Sequence, residues 1–157
     1  MVLTKYEQFE QIAADKGILV IDYPFESDRI KGLYCDNTIA LSNRLISHKE
    51  KIGVLAEEIA HHDLSVGNIL DLKDARSRKQ ELQAHMAAYD RLIGLTGIVR
   101  CYEAGCRSVY EMADLLDVTE EFLKEALEAY RMRYGCGASV DCYRILFEPA
   151  LSVIKMV

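Results

Sequence analysis

The sequence has no Cys-x-x-Cys pair, only two prolines and no apolar run as long as a membrane span. A spanning helix needs roughly 20 consecutive apolar residues, so no membrane partner is expected. The opening stretch, MVLTKYEQFE, lacks the basic-then-apolar order of a signal peptide. Basic residues are the minority, 19 against 25 acidic ones, which disfavours tight nonspecific binding to nucleic acid. These absences predict a cytoplasmic protein.

Cysteine usage agrees with that compartment. The five cysteines are Cys35, Cys101, Cys106, Cys136 and Cys142. Without an oxidising environment they are predicted to be unpaired thiols buried in the core. The length of 157 residues and a hydrophobic fraction of 50% fit one globular domain, residues 1–157.

Short β-type runs precede a helical centre. ILVIDY (18–23) predicts a buried strand, and GLYC (32–35) and TIAL (38–41) predict a hairpin around Asp36-Asn37. A loop is predicted at 63–76, and a strand or hairpin at 138–148, before an apolar tail. Helices are predicted at 4–16, 47–62, 77–93, 97–104, 108–116 and 119–134. The predicted class is α+β.

The string Glu57-Glu58-Ile59-Ala60-His61 has the spacing of the HExxH motif of zinc peptidases. Residues four apart lie on one helical face, so Glu57 and His61 can reach one metal ion. Glu58 points about 100° away, where it can take a proton from the attacking water. The alternative is that Glu57 and Glu58 are ordinary solvated residues and that His61 is stabilised by the helix C-terminus.

The surrounding sequence extends the similarity. IGVLAEEIAHHDLSVGNIL (52–70) resembles the active-site helix of the ImmA/IrrE family of metallopeptidase-like proteins, in the phage and mobile-element branch with EExxH. KGLYCDNTIALS (31–42) is similar to the family hairpin before that helix, and RKQELQAHMAAYDRLIGL (78–95) to the helix after it. Residues 102–135 resemble the helical segment that closes the family domain. The resemblance implies a zincin-like fold, with the active-site helix beside a small antiparallel sheet and a helical segment following.

The same resemblance implies the roles of the site residues. Glu58 is the expected catalytic base, and Glu57 and His61 are expected metal ligands, whereas Glu81, expected as the third ligand, does not match the family pattern residue for residue. The family's third ligand is a glutamate next to an alanine, and matching that alanine to Ala84 places Gln83 there, where an amide is a poor zinc ligand. Glu81 and His85 are therefore the candidates for the third ligand. Gly94 stands where the family has proline.

The expected metal is zinc, with manganese as an alternative. Replacing a histidine ligand by Glu57 and keeping a carboxylate as third ligand lowers the net charge of a zinc site from about +1 to about zero. A less positive site activates water less strongly, and oxygen-rich ligation favours harder ions such as Mn²⁺. We therefore expect a weaker hydrolase than an HExxH relative, or a protein that binds no metal.

Residues 108–127 also have the shape of a helix-turn-helix. Its second half would have to approach phosphates, yet residues 111–128 contain seven acidic residues and one basic residue, Lys124. DNA binding is therefore not expected.

Three functions follow from the sequence. The first is a metal-dependent endopeptidase that cleaves a repressor or regulatory protein of a prophage or other mobile element. The second is a catalytically weak or inactive zincin-like module that binds such a repressor. The third is a purely helical adaptor, which would require that residues 18–41 form no strands.

Overall fold

The computed structural model describes residues 2–66 and 78–157, which form six helices and six strands. The helices are α1 (Lys5–Asp15), α2 (His48–Val66), α3 (Arg78–Leu92), α4 (Gly94–Glu103), α5 (Val109–Leu116) and α6 (Glu120–Tyr134). The strands are β1 (Leu19–Tyr23), β2 (Gly32–Cys35), β3 (Thr38–Ser42), β4 (Gly137–Val140), β5 (Tyr143–Leu146) and β6 (Ser152–Lys155). The predicted α+β class is confirmed, and the strands between 18 and 42 exclude a purely helical adaptor.

The chain divides into two compact units, one ending at Ala88 and the other beginning at Tyr89. The chain length predicted a single domain, and the division into two compact units does not test that prediction. None of the helices in the two described ranges is both long enough and apolar enough to cross a membrane. The predicted loop at 63–76 is wrong at its start, because α2 continues to Val66, and the rest of it lies outside the described residues.

The sheet of the first unit is mixed, not antiparallel as the resemblance implied. Its strand order is β1-β3-β2, with β1 parallel and β2 antiparallel to β3. The β2–β3 hairpin turns at Asp36 and Asn37, both with positive φ, as predicted. The segment 24–31 carries the chain past β3, so β1 and β3 run the same way.

Strand β1 is less buried than predicted. Leu19, Ile21 and Tyr23 are 62%, 37% and 48% exposed, whereas Ile18, just before the strand, is 5% exposed. The reason is its edge position, since β1 pairs only with β3 among the strands of the described residues. An apolar run therefore correctly predicted a strand but not its burial.

Helices α1 and α2 form the core of the first unit with the sheet. Its buried side chains include Phe9 and Ala13 on α1, Ile39 and Leu41 on β3, and Leu55 on α2. Helix α1 begins with a capping box between Thr4 and Glu7. Because α2 packs on β2 and β3, its outer face is left to carry polar groups.

The second unit combines α4–α6 with an antiparallel sheet of order β4-β5-β6. Thr119 caps α6 by accepting a hydrogen bond from the Phe122 amide at 3.1 Å, as the sequence predicted. The predicted hairpin at 138–148 is confirmed as β4 and β5, whereas β6 in the apolar tail was not predicted. Ala113 and Val118 are buried at the α5–α6 turn, where Asp117 has a φ of 58°.

All five cysteines are free, but only Cys101 is buried. Cys35, Cys136 and Cys142 are exposed, so the prediction of core thiols is wrong for these three. Cys35 lies on an edge strand, and the others lie at the ends of the β4–β5 hairpin, where side chains are less covered.

Candidate metal and catalytic site

Helix α2 positions the EExxH residues by its apolar pattern. Ile52, Leu55 and Ile59 are at most 1% exposed and fix the rotation of the helix against the sheet. With that face buried, Glu57 and His61 lie together on a half-buried flank. The sequence predicted that Glu57 and His61 share one helical face, and both side chains contact α3.

Helix α3 presents a second Glu-x-x-x-His pair, Glu81 and His85, to that flank. Ala84 and Ala88 are 1% and 0% exposed, and these small side chains lie on the inner side of the helix. Glu81 and His85 are four residues apart, so they project from one face.

The four side chains contact one another across the two helices. Glu57 Oε1 lies 2.9 Å from His85 Nδ1, and His61 Nε2 lies 3.5 Å from Glu81 Oε1. His85 Nε2 lies 3.8 Å from Glu81 Oε2. We call these residues the Glu–His cluster. The structure thus brings together both predicted ligands of α2 and both candidates of α3.

Gln83 is not part of this cluster. It is exposed and lies about 200° around the helix from Glu81, so its side chain leaves the opposite face. Gly94, which stands where the family has proline, begins α4 with a φ of 65°, a conformation that proline cannot adopt.

Glu58 is 7% exposed and lies beside the edge strand β2. A methyl group added to Gly32 would lie 3.4 Å from Glu58 Oε1 and 2.5 Å from Val54 Cγ1. Only glycine allows β2 to approach α2 this closely. The sequence predicted the direction of Glu58 but gave no signal for the role of Gly32.

A second contact that the sequence did not predict joins β2 to α2. Tyr34 Oη lies 2.7 Å from His62 Nδ1, and the two rings meet edge to face with centroids 5.3 Å apart. The Tyr34 hydroxyl also lies 3.1 Å from Asn37 Oδ1, so it joins His62 of α2 to the β2–β3 turn. His62 is 9% exposed and belongs to the packing under the site.

The donor types of the Glu–His cluster fit zinc. Catalytic zinc sites use combinations of imidazole and carboxylate, commonly two histidines and one glutamate. Within residues 2–66 and 78–157, however, no group of three or more His, Cys, Asp or Glu side chains is arranged to hold a metal ion. Zinc and manganese therefore stay predictions for this site.

Comparisons of this chain with protein-family models, with curated proteins and with solved structures find no match. The resemblance to the ImmA/IrrE family therefore stays a prediction from the sequence.

Proposed function

We propose that this chain is a metal-dependent endopeptidase of the ImmA/IrrE type. The observation that carries the proposal is the Glu–His cluster between α2 and α3, with Glu58 buried on the adjoining face beside β2. The resemblance supplies the substrate class, a repressor or regulatory protein of a prophage or other mobile element.

The residues of the cluster would hold the metal, which would polarise the scissile carbonyl when bound. Glu58 would take a proton from the attacking water as its oxygen bonds to the carbonyl carbon. The same carboxyl group would then give that proton to the amine nitrogen as the C–N bond breaks. Burial of Glu58 keeps its carboxylate away from bulk water, and an extended substrate peptide would lie along the edge strand β2.

Glu58→Gln separates this catalytic role from metal binding. The variant should keep the metal content of the wild type and lose about 10²- to 10⁴-fold of its activity, because an amide cannot accept the proton. Metal content is measured by mass spectrometry after incubation with zinc or manganese. Cleavage is measured on a proteome-derived peptide library.

His61→Ala is the matched control, since it should lose both the metal and the activity. Wild-type protein that binds neither ion, or a Glu58→Gln variant as active as wild type, would contradict the proposal.

One observation favours a second function, a non-catalytic module that binds the same repressor. Glu57 pairs with His85 at 2.9 Å, so these groups stabilise each other as they stand. If this is their role, wild-type protein should bind a regulatory protein without binding metal. The metal measurement above therefore distinguishes the two functions.

A further inference from the structure

The contacts within the Glu–His cluster differ in kind. The 2.9 Å between Glu57 Oε1 and His85 Nδ1 is a normal hydrogen-bond length. The 3.5 Å between His61 Nε2 and Glu81 Oε1 and the 3.8 Å between His85 Nε2 and Glu81 Oε2 exceed the usual 2.7–3.2 Å. Ligands of a tetrahedral zinc ion, with bonds of about 2.0–2.1 Å, are about 3.3 Å apart.

The two nitrogens of His85 therefore have different surroundings. With its proton on Nδ1, His85 donates to Glu57, and the lone pair of Nε2 faces the side where Glu81 lies. A ligating histidine almost always donates its other N–H to a carboxylate or carbonyl, which fixes the tautomer and the ring. Glu57 has the position and chemistry of that carboxylate.

We propose that His61, His85 and Glu81 become the metal ligands when an ion draws them closer together than they lie here, and that Glu57 is a positioning residue, which holds His85 through Nδ1. This inference rests on the proposed function and changes which residue of α2 binds the metal. The ligands are then two imidazoles and one carboxylate, although one imidazole comes from α3 instead of α2.

The assignment also changes the expected electrostatics. Two neutral histidines and one carboxylate leave a zinc site with a net charge of about +1, whereas ligation by both Glu57 and Glu81 would leave about zero. The site should therefore prefer zinc over manganese, contrary to the oxygen-rich site expected from the sequence.

The test compares one chemical change at two positions, Glu57→Gln and Glu81→Gln. A glutamine at 57 still accepts the Nδ1–H hydrogen bond, so this variant should bind zinc within a few-fold of wild type. A glutamine at 81 offers an amide to the metal, and zinc affinity should fall by more than about 100-fold. Affinity is measured by isothermal titration of the metal-free 157-residue chain with zinc.

Two further variants complete the test. Glu57→Ala removes the hydrogen bond and should weaken zinc binding by about 10- to 100-fold. His85→Ala should abolish it. The positioning role is overturned if Glu57→Gln loses zinc as completely as Glu81→Gln, or if His85→Ala keeps it.

These outcomes are distinct from failure of the proposed function. Wild-type protein without zinc affinity overturns both proposals. A wild type that binds zinc, with Glu57→Gln unable to do so, overturns only the assignment of Glu57 and leaves the metal site itself in place.

Discussion

At the scale of single residues, Tyr130 combines full burial with two polar contacts of its hydroxyl in the second unit. It is 0% exposed, and its hydroxyl donates to Asp90 Oδ1 at 3.0 Å and accepts from the Gly94 amide at 3.2 Å. Burial, followed by the nearby Asp90, raises the pKa of Tyr130 well above its ordinary value. The phenol therefore stays neutral and holds the start of α4.

We predict that Tyr130→Phe lowers the free energy of unfolding by about 1–3 kcal/mol, because the Gly94 amide loses this acceptor. Urea unfolding followed by circular dichroism measures the change. Tyr110→Phe is the control, since Tyr110 is 67% exposed and its hydroxyl should matter by less than about 0.5 kcal/mol. Equal stabilities of the two variants would count against the role of Tyr130.

The sequence could predict the relative positions of site residues only where they lie on the same helix. The spacing of Glu57, Glu58 and His61 follows from helical geometry alone. Which α3 residue faces them depends on how far α3 is rotated and shifted against α2, which no local pattern contains. The sequence therefore kept both Glu81 and His85 as candidates, and the pairing of Glu57 with His85 came only from the structure.

At the scale of elements, the predictable features were those with local causes. The Asp36-Asn37 turn, the Thr119 cap and the apolar stripe of α2 each depend on neighbours within a few residues. The parallel pairing of β1 with β3 depends on residues nearly 20 positions apart, and it was missed. The burial of β1 was wrong for the same reason, because an apolar run does not indicate whether a strand lies at an edge.

The approach of β2 to α2 gives the prediction for this scale. Gly32→Ala would place a methyl group 2.5 Å from the β-branched Val54, so strand or helix must move. We expect a loss of about 1–3 kcal/mol in the free energy of unfolding, together with a displaced Glu58.

Cys35→Ala is the matched control on the same strand, because Cys35 is exposed. Its unfolding free energy should stay within about 0.5 kcal/mol of wild type. Guanidinium unfolding of both variants measures the difference. A Gly32→Ala protein as stable as Cys35→Ala would show that the strand and helix separate at little cost.

At the scale of the whole molecule, both units contain a buried acid that must stay protonated. Burial raises the pKa of Tyr6 in the first unit to about 12 from 10.0. Burial, followed by Cys106, raises the pKa of Cys101 in the second unit to about 11 from 9.0. In each case the unfolded chain ionises at lower pH than the folded chain.

The sign of the pH dependence follows from these directions. Well below pH 9 both groups are protonated in the folded and unfolded states, so neither makes stability depend on pH. Above that value the unfolded state loses protons first, and stability should fall from pH 9 to 11 through Cys101 and from pH 10 to 12 through Tyr6.

Denaturant unfolding at a series of pH values measures both losses. Cys101→Ala should remove the earlier loss and Tyr6→Phe the later one, whereas Tyr110→Phe, at an exposed position, should change neither. Cys101→Ala and Tyr6→Phe each remove the proton whose release is supposed to destabilise its unit. If stability falls with pH as steeply in these variants as in wild type, other groups cause the alkaline loss.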